Sequence, residues 1–186
     1  MRAAVIGAGA SGMLAALTAS ELGHEVTVFE RQARAGRKLM ATGNGRCNLT
    51  NTLAGLRNYH GEAPDFVLPA LRAFGPREAV DYFRSLGLLT REEYGGRVYP
   101  LSNSANSVVD VLRQTMDARG VRLVCGDRVR ELSRRGSAYT IVTESGEKYG
   151  FDGVIVACGG LAGEKLGGMA VLYRMNAQSR VLEEML

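Results

Sequence analysis

Gly7-Ala8-Gly9-Ala10-Ser11-Gly12 constrains this chain more than any other feature. It follows the short apolar run Ala3-Ala-Val-Ile6 without a linker and leads into Ala10 to Leu22, a helical pattern. Glu25-Val-Thr-Val-Phe-Glu30 then reads as a second strand. Strand, glycine turn, helix and strand form a βαβ unit, which places the opening residues in a parallel sheet. The spacing alone is weak: with 24 glycines in 186 residues, chance supplies ~0.4 matches to Gly-x-Gly-x-x-Gly. Its position between strand and helix, with the acid Glu30 closing the next strand, gives it meaning.

Each residue of the turn has a physical task. Gly7 makes the sharp reversal, Gly9 carries no Cβ to keep a pyrophosphate away, and Gly12 lets helix and strand pack closely. Backbone N–H groups at the helix start, with the positive end of its dipole, attract phosphate oxygens. Glu30 would accept both hydroxyls of an adenosine ribose and repel a 2′-phosphate. The alternative is a glycine turn of an α/β domain that holds no ligand.

Further along, Asp65 to Phe74 and Arg77 to Leu86 have helical character, with Pro76 suited to a first turn. Gly95-Gly96 before Arg97-Val-Tyr-Pro100 suggests a hairpin or turn. Ser107 to Arg119 is an amphipathic helix closed by Gly120, and Val121 to Cys125 is a strand candidate. Val129 to Arg134, Ala138 to Thr143 and Glu147 to Phe151 form an antiparallel meander, after which Gly153 to Ala157 returns as a buried strand. The fold expected is α/β: a Rossmann-like dinucleotide-binding domain, parallel sheet with an antiparallel β-meander crossover. Arg31 to Gly61 shows neither apolar period, as in segments that are disordered or wrapped on a ligand.

Charge is concentrated in that segment. Six of the 23 basic residues lie there (Arg31, Arg34, Arg37, Lys38, Arg46, Arg57) with no acid, leaving 17 basic against 19 acidic residues elsewhere. A solvated basic loop and an anion cradle both fit. Tyr59 is its one aromatic and no nucleic-acid module surrounds it, so no nucleic-acid partner is expected. Ala3 to Ser20 has no charge but is broken by three glycines, which argues against a membrane span and a signal peptide. Cys47, Cys125 and Cys158 are odd in number and far apart, so no disulfide framework and no metal site is expected, and a cytoplasmic location fits. Cys47 reads as a packed or cofactor-adjacent thiol, Cys125 and Cys158 as small core residues. Packing is the expected role of Tyr94 and Tyr99, and hairpin-tip surface that of Arg134-Arg135.

A nicotinamide dehydrogenase would continue from Glu30 into further βα units. This chain instead enters a glycine-rich basic stretch whose backbone can lie along a long ligand. Gly36-Arg37-Lys38-Leu39 and Thr42-Gly43-Asn44-Gly45-Arg46-Cys47-Asn48-Leu49-Thr50-Asn51 resemble the signature of the HI0933-like, or BaiN/aminoacetone-oxidase-like, FAD-dependent oxidoreductases. Gly95 to Asn103 and Val154 to Gly160 are similar to two further stretches of that family, and the similarity runs from about residue 3 to 167.

The resemblance implies that Gly7 to Gly12 hold the FAD pyrophosphate and Glu30 the adenosine ribose, with Arg31 beside it. It implies that Gly36, Arg37, Lys38, Thr42, Gly43, Gly45, Arg46, Cys47 and Asn48 line the flavin side. Val129 would meet the adenine through its backbone, and Ala157, Cys158, Gly159 and Gly160 would form a second glycine contact. Positive side chains beside a flavin would stabilise its anionic reduced ring. The expected activity is an FAD-dependent oxidoreductase, reduced by NADH or NADPH and acting on a small organic substrate. No side chain is singled out as catalytic. Residues 1–168 would be the cofactor domain and 169–186 a tail that does not match the family. Members run to more than twice this length, so the chain reads as truncated, without the substrate domain. An FAD- or ADP-binding fragment without turnover, and a nicotinamide-binding Rossmann domain, stay open.

Overall fold

A computed structural model describes residues 1–159. The described residues pack as two compact units, Met1–Arg37 with those from 113 to 159, and Lys38–Leu112.

The first unit is built on a four-stranded parallel sheet of β1 (Arg2–Ile6), β2 (Glu25–Glu30), β6 (Arg122–Cys125) and β10 (Gly153–Val156), in the order β10-β1-β2-β6. Val5 pairs with Ile155 on one side and Val28 on the other, so β1 is central. Helix α1 (Ala10–Glu21) joins β1 to β2 and buries Met13, Ala16, Leu17 and Ala19. Between β6 and β10 the chain forms the expected antiparallel meander of β7 (Val129–Arg135), β8 (Ala138–Thr143) and β9 (Lys148–Phe151).

Period-two alternation sends Ala4 and Phe29 to the face that meets this meander. There they bury with Ile141 and Phe151, and Ile6, Val124, Val129, Leu132, Tyr139, Tyr149 and Val154 pack around them. The Phe29 ring meets Tyr149 and Phe151 edge-on, with centroids 5.0 and 5.9 Å away. Edge-to-face contacts of this kind add to what area burial alone contributes. Arg134 and Arg135 are exposed near the tip of the β7–β8 hairpin.

The second unit carries a three-stranded antiparallel sheet, β3 (Thr50–Asn51), β5 (Arg97–Pro100) and β4 (Thr90–Glu93), in the order β3-β5-β4. Its helices are α2 (Arg37–Ala41), α3 (Leu68–Ala73) and α4 (Pro76–Ser85); α2 and α5 (Ala105–Ala118) carry the chain between the units. Pro76 stands in the first turn of α4, where its missing N–H costs nothing.

Arg31 to Gly61 corrects the expectation of an unstructured segment: it contains α2, a 3-10 turn at Thr42–Gly45, strand β3 and a second 3-10 turn at Leu56–Asn58. The ordering is non-local. The two residues of β3 pair with Arg97 and Val98, far along the chain, and a strand that short has no detectable period. β4 (Thr-Arg-Glu-Glu) was equally invisible, because it has no apolar alternation. The tail at 169–186 and Gly160 lie outside the described residues.

Candidate cofactor site

In the first unit, β1 delivers the chain to Gly7, whose N–H donates to the Phe29 carbonyl at 2.7 Å. Gly7 has φ +104°, and a Cβ there would stand 2.5 Å from the Ala157 carbonyl oxygen. A Cβ on Gly12 would stand 1.8 Å from the Gly7 carbonyl oxygen. Real Cβ atoms do not approach backbone so closely, so the chain's own packing requires both glycines. Gly9 is different: a Cβ there meets nothing within 4 Å. Gly9 is also the N-cap of α1, at φ −81°, and neither a side-chain cap nor an acid occupies the helix start. The turn therefore presents an open backbone surface at the positive end of a helix.

Glu30 ends β2 beside this turn. Its Oε2 accepts from the Ala8 N–H and its Oε1 from the Gln32 N–H, both at 2.9 Å. An ionised carboxylate has roughly four acceptor positions, so two such bonds leave capacity for hydroxyl donors. The Gly36 N–H donates to the Ala8 carbonyl at 2.9 Å, which fastens the following loop to the turn. Opposite, the Ala157 N–H donates to Ile6 at 2.8 Å, and Cys158 and Gly159 (φ +84°) continue along the edge of the turn. The structure thus brings Gly7 to Gly12, Glu30, Gly36 and Ala157 to Gly159 together. Arg31 is exposed, and Arg37 donates to the Gln32 side chain at 2.9 Å. Val129 opens β7 opposite Thr143, with its side chain in the aromatic core.

Cys125, expected as a core residue, is half-buried and pairs in register with Glu30. Burial pushes its thiol above the ordinary range, and the Glu30 charge pushes the same way; the Ala35 backbone and Arg113 oppose both. Cys158 is likewise half-buried.

In the second unit, Thr42 to Asn48 form a compact knot. The Thr42 hydroxyl donates to the Leu39 carbonyl at 2.8 Å, and the Cys47 N–H donates to the Thr42 carbonyl at 3.0 Å. Gly43, Asn44, Gly45 and Cys47 all have positive φ. Cys47 is fully buried at φ +59°, so its thiol is packed and its backbone is held where a side chain rarely goes. The Asn48 amide nitrogen donates to the carbonyls of Thr50 (2.8 Å) and Val98 (3.2 Å), which ties the knot to β5. Lys38 is exposed.

Arg46 is the centre of a cluster the sequence did not disclose. Its guanidinium lies 3.9 Å from the centroid of the Tyr99 ring, its Nε donates to Asn103 Oδ1 at 3.0 Å, and it pairs with Glu93. Arg91 donates to the same Glu93 oxygen at 2.8 Å and to the same Asn103 oxygen at 2.8 Å. Hydrogen bonding from Arg46 is the main influence holding the Glu93 carboxyl below the ordinary carboxylate range; partial burial opposes it and Arg91 reinforces it. Glu93 and Asn103 lie 47 and 57 positions from Arg46, beyond any local pattern. Tyr99 packs as expected, whereas Tyr94 is 93% exposed, because it sits at the tip of the β4–β5 hairpin.

No helix among the described residues is long and apolar enough to cross a membrane. The chain is 40% identical over 168 residues to a 3-dehydro-bile acid delta(4,6)-reductase of Clostridium scindens, a match covering 89% of this chain and 41% of that protein. It is 28% identical to the ribosomal RNA dihydrouridine synthase of Escherichia coli, over 95% of this chain and 44% of that one. It therefore spans about two fifths of the length of the curated relatives it matches. Among solved structures, Thermovibrio ammonificans THI4 superposes with a TM-score of 0.58 at 15% identity, covering 85% of this chain and 57% of that one; this likeness concerns the fold. The model of the HI0933-like protein Rossmann domain matches residues 1–182, and the chain belongs to that family.

Proposed function

We propose that this chain is the FAD-binding part of an oxidoreductase. One observation carries the reading: among the three glycines of the turn, packing explains Gly7 and Gly12, whereas a side chain on Gly9 would meet only open space. A glycine the protein does not itself need, at the uncapped start of a helix, suits close approach of a pyrophosphate. The Glu30 carboxylate, anchored by two backbone N–H groups, would take the ribose hydroxyls. Gly36 and the Ala157 to Gly160 segment would line the same half of the cofactor, with Val129 at the adenine. Arg37, Lys38 and the Thr42 to Asn48 knot are the residues we assign to the flavin half, as the family resemblance implies.

FAD, when bound, supplies two-electron redox chemistry. The chain's own groups bind and orient it and set the charge around it. NADH or NADPH as reductant and a small organic molecule as substrate complete the proposal. A reduction accords with the name of the Clostridium scindens relative, while the dihydrouridine synthase names make an RNA base the competing substrate class.

The visible spectrum of the purified chain, followed by an FAD titration, tests this reading. Yellow protein that bleaches with NAD(P)H supports both the cofactor and the reductant. Bound FAD without bleaching supports the binding role alone. A colourless protein that takes NADH and refuses FAD overturns it.

A further inference from the structure

Gln32 is held at three points, all within the first unit. Its N–H donates to Glu30 Oε1, its carbonyl accepts from the Gly126 N–H, and its side-chain Oε1 accepts from Arg37 Nη1, each at 2.9 Å. The first bond sets the Gln32 backbone against the carboxylate assigned to the ribose. The third orients the amide. A guanidinium has donors only, so the amide must turn its oxygen to Arg37 and its NH2 away. Gln32 is half-buried, and among the described residues no hydrogen bond takes either N–H of that NH2 group.

The chemistry of a ribose explains why a donor belongs here. Each ribose hydroxyl gives one proton and carries two acceptor lone pairs. Glu30, ionised, can only accept, so it takes the proton and leaves the hydroxyl oxygen in want of a donor.

We propose that Gln32 is a cofactor-binding residue: its NH2 donates to a ribose hydroxyl oxygen while Glu30 accepts from the hydroxyls, and Arg37 is the positioning residue that sets the amide. This rests on the FAD reading above. The family resemblance gives Arg37 to the flavin half; through Gln32 the same side chain also serves the adenosine half. The pair of Glu30 and Gln32 makes the site select a nucleotide whose ribose keeps its hydroxyls, because a sugar without them leaves both partners unmatched.

The test compares ADP with 2′,3′-dideoxy-ADP as competitors of FAD uptake by the whole chain. Gln32→Leu should cut the preference for ADP about tenfold, the worth of one hydrogen bond. Arg37→Met should cut it in the same direction, and the double variant no further than Gln32→Leu alone. A merely structural role for this loop, or a direct contact of Arg37 with phosphate, would weaken both nucleotides alike. An unchanged preference in Gln32→Leu, or wild-type chain for which ADP competes no better than its dideoxy analogue, overturns the inference and leaves the FAD reading standing. If Gln32→Leu does not fold, Arg37→Met decides alone: a reduced preference supports the inference, and an unchanged one overturns it. Wild-type chain that takes up no FAD overturns the FAD reading and this inference with it.

Discussion

Gly12 sits directly over Gly7: a methyl group on the first would fall 1.8 Å from the carbonyl oxygen of the second. Gly12→Ala must therefore push α1 away from the turn, and we expect a loss of about 3 kcal/mol in unfolding free energy. Gly9→Val has room and an ordinary φ, so its urea midpoint should stay close to wild type while FAD binding disappears. Equal FAD affinity in Gly9→Val and wild type would contradict the placement of the pyrophosphate.

Phe29 is 1% exposed and touches two rings of the meander, so it holds the crossover against the parallel sheet. Phe29→Ala should cost about 4 kcal/mol, combining lost transfer energy with an unfilled cavity. Chemical denaturation followed by circular dichroism measures it. A cost under about 1 kcal/mol would mean the meander does not depend on this contact.

Glu93 titrates below its ordinary value of 4.5 in the folded chain, chiefly because Arg46 donates to it. On acidification the unfolded chain takes up this proton first. The carboxylate therefore contributes its full stabilisation above about pH 4.5 and loses it as pH falls through the lower, folded value. Asp127, held below 3.8 chiefly by the Ser145 hydroxyl, behaves the same way at more acid pH. The stability gap between wild type and Glu93→Gln should be largest at neutral pH and shrink below about pH 4.5. Urea titrations at pH 7, 5, 4 and 3 would show this. A gap that widens toward pH 3 would refute it.

Cys125 is pushed up by burial first and by the Glu30 charge second. Glu30→Gln removes the second influence, so more of the thiol ionises at a given pH and alkylation at pH 8 should speed up. Peptide mapping after timed iodoacetamide treatment reads Cys125 apart from Cys47 and Cys158. Slower or unchanged reaction at Cys125 would show that the Glu30 charge does not reach it.

Local pattern was enough for β1, α1, β2 and the meander, because each announces itself within a few neighbouring residues. A glycine turn opens a helix, apolar residues alternate, and paired turn residues mark the hairpins. The same locality made the succession from Gly7 to Gly12 and on to Glu30 readable as one strand–turn–helix–strand element, and the run from Thr42 to Asn51 distinctive enough to carry a family resemblance. Tertiary structure alone decided what the Arg31 to Gly61 segment does. A two-residue strand at Thr50–Asn51 acquires its conformation from β5, and Arg46 finds Glu93 and Asn103 only once the intervening chain has folded back. It also separated Gly9, which no neighbour confines, from Gly7 and Gly12, which backbone atoms crowd. Steric demand is a property of distances between atoms remote in sequence, and only the folded chain sets those distances.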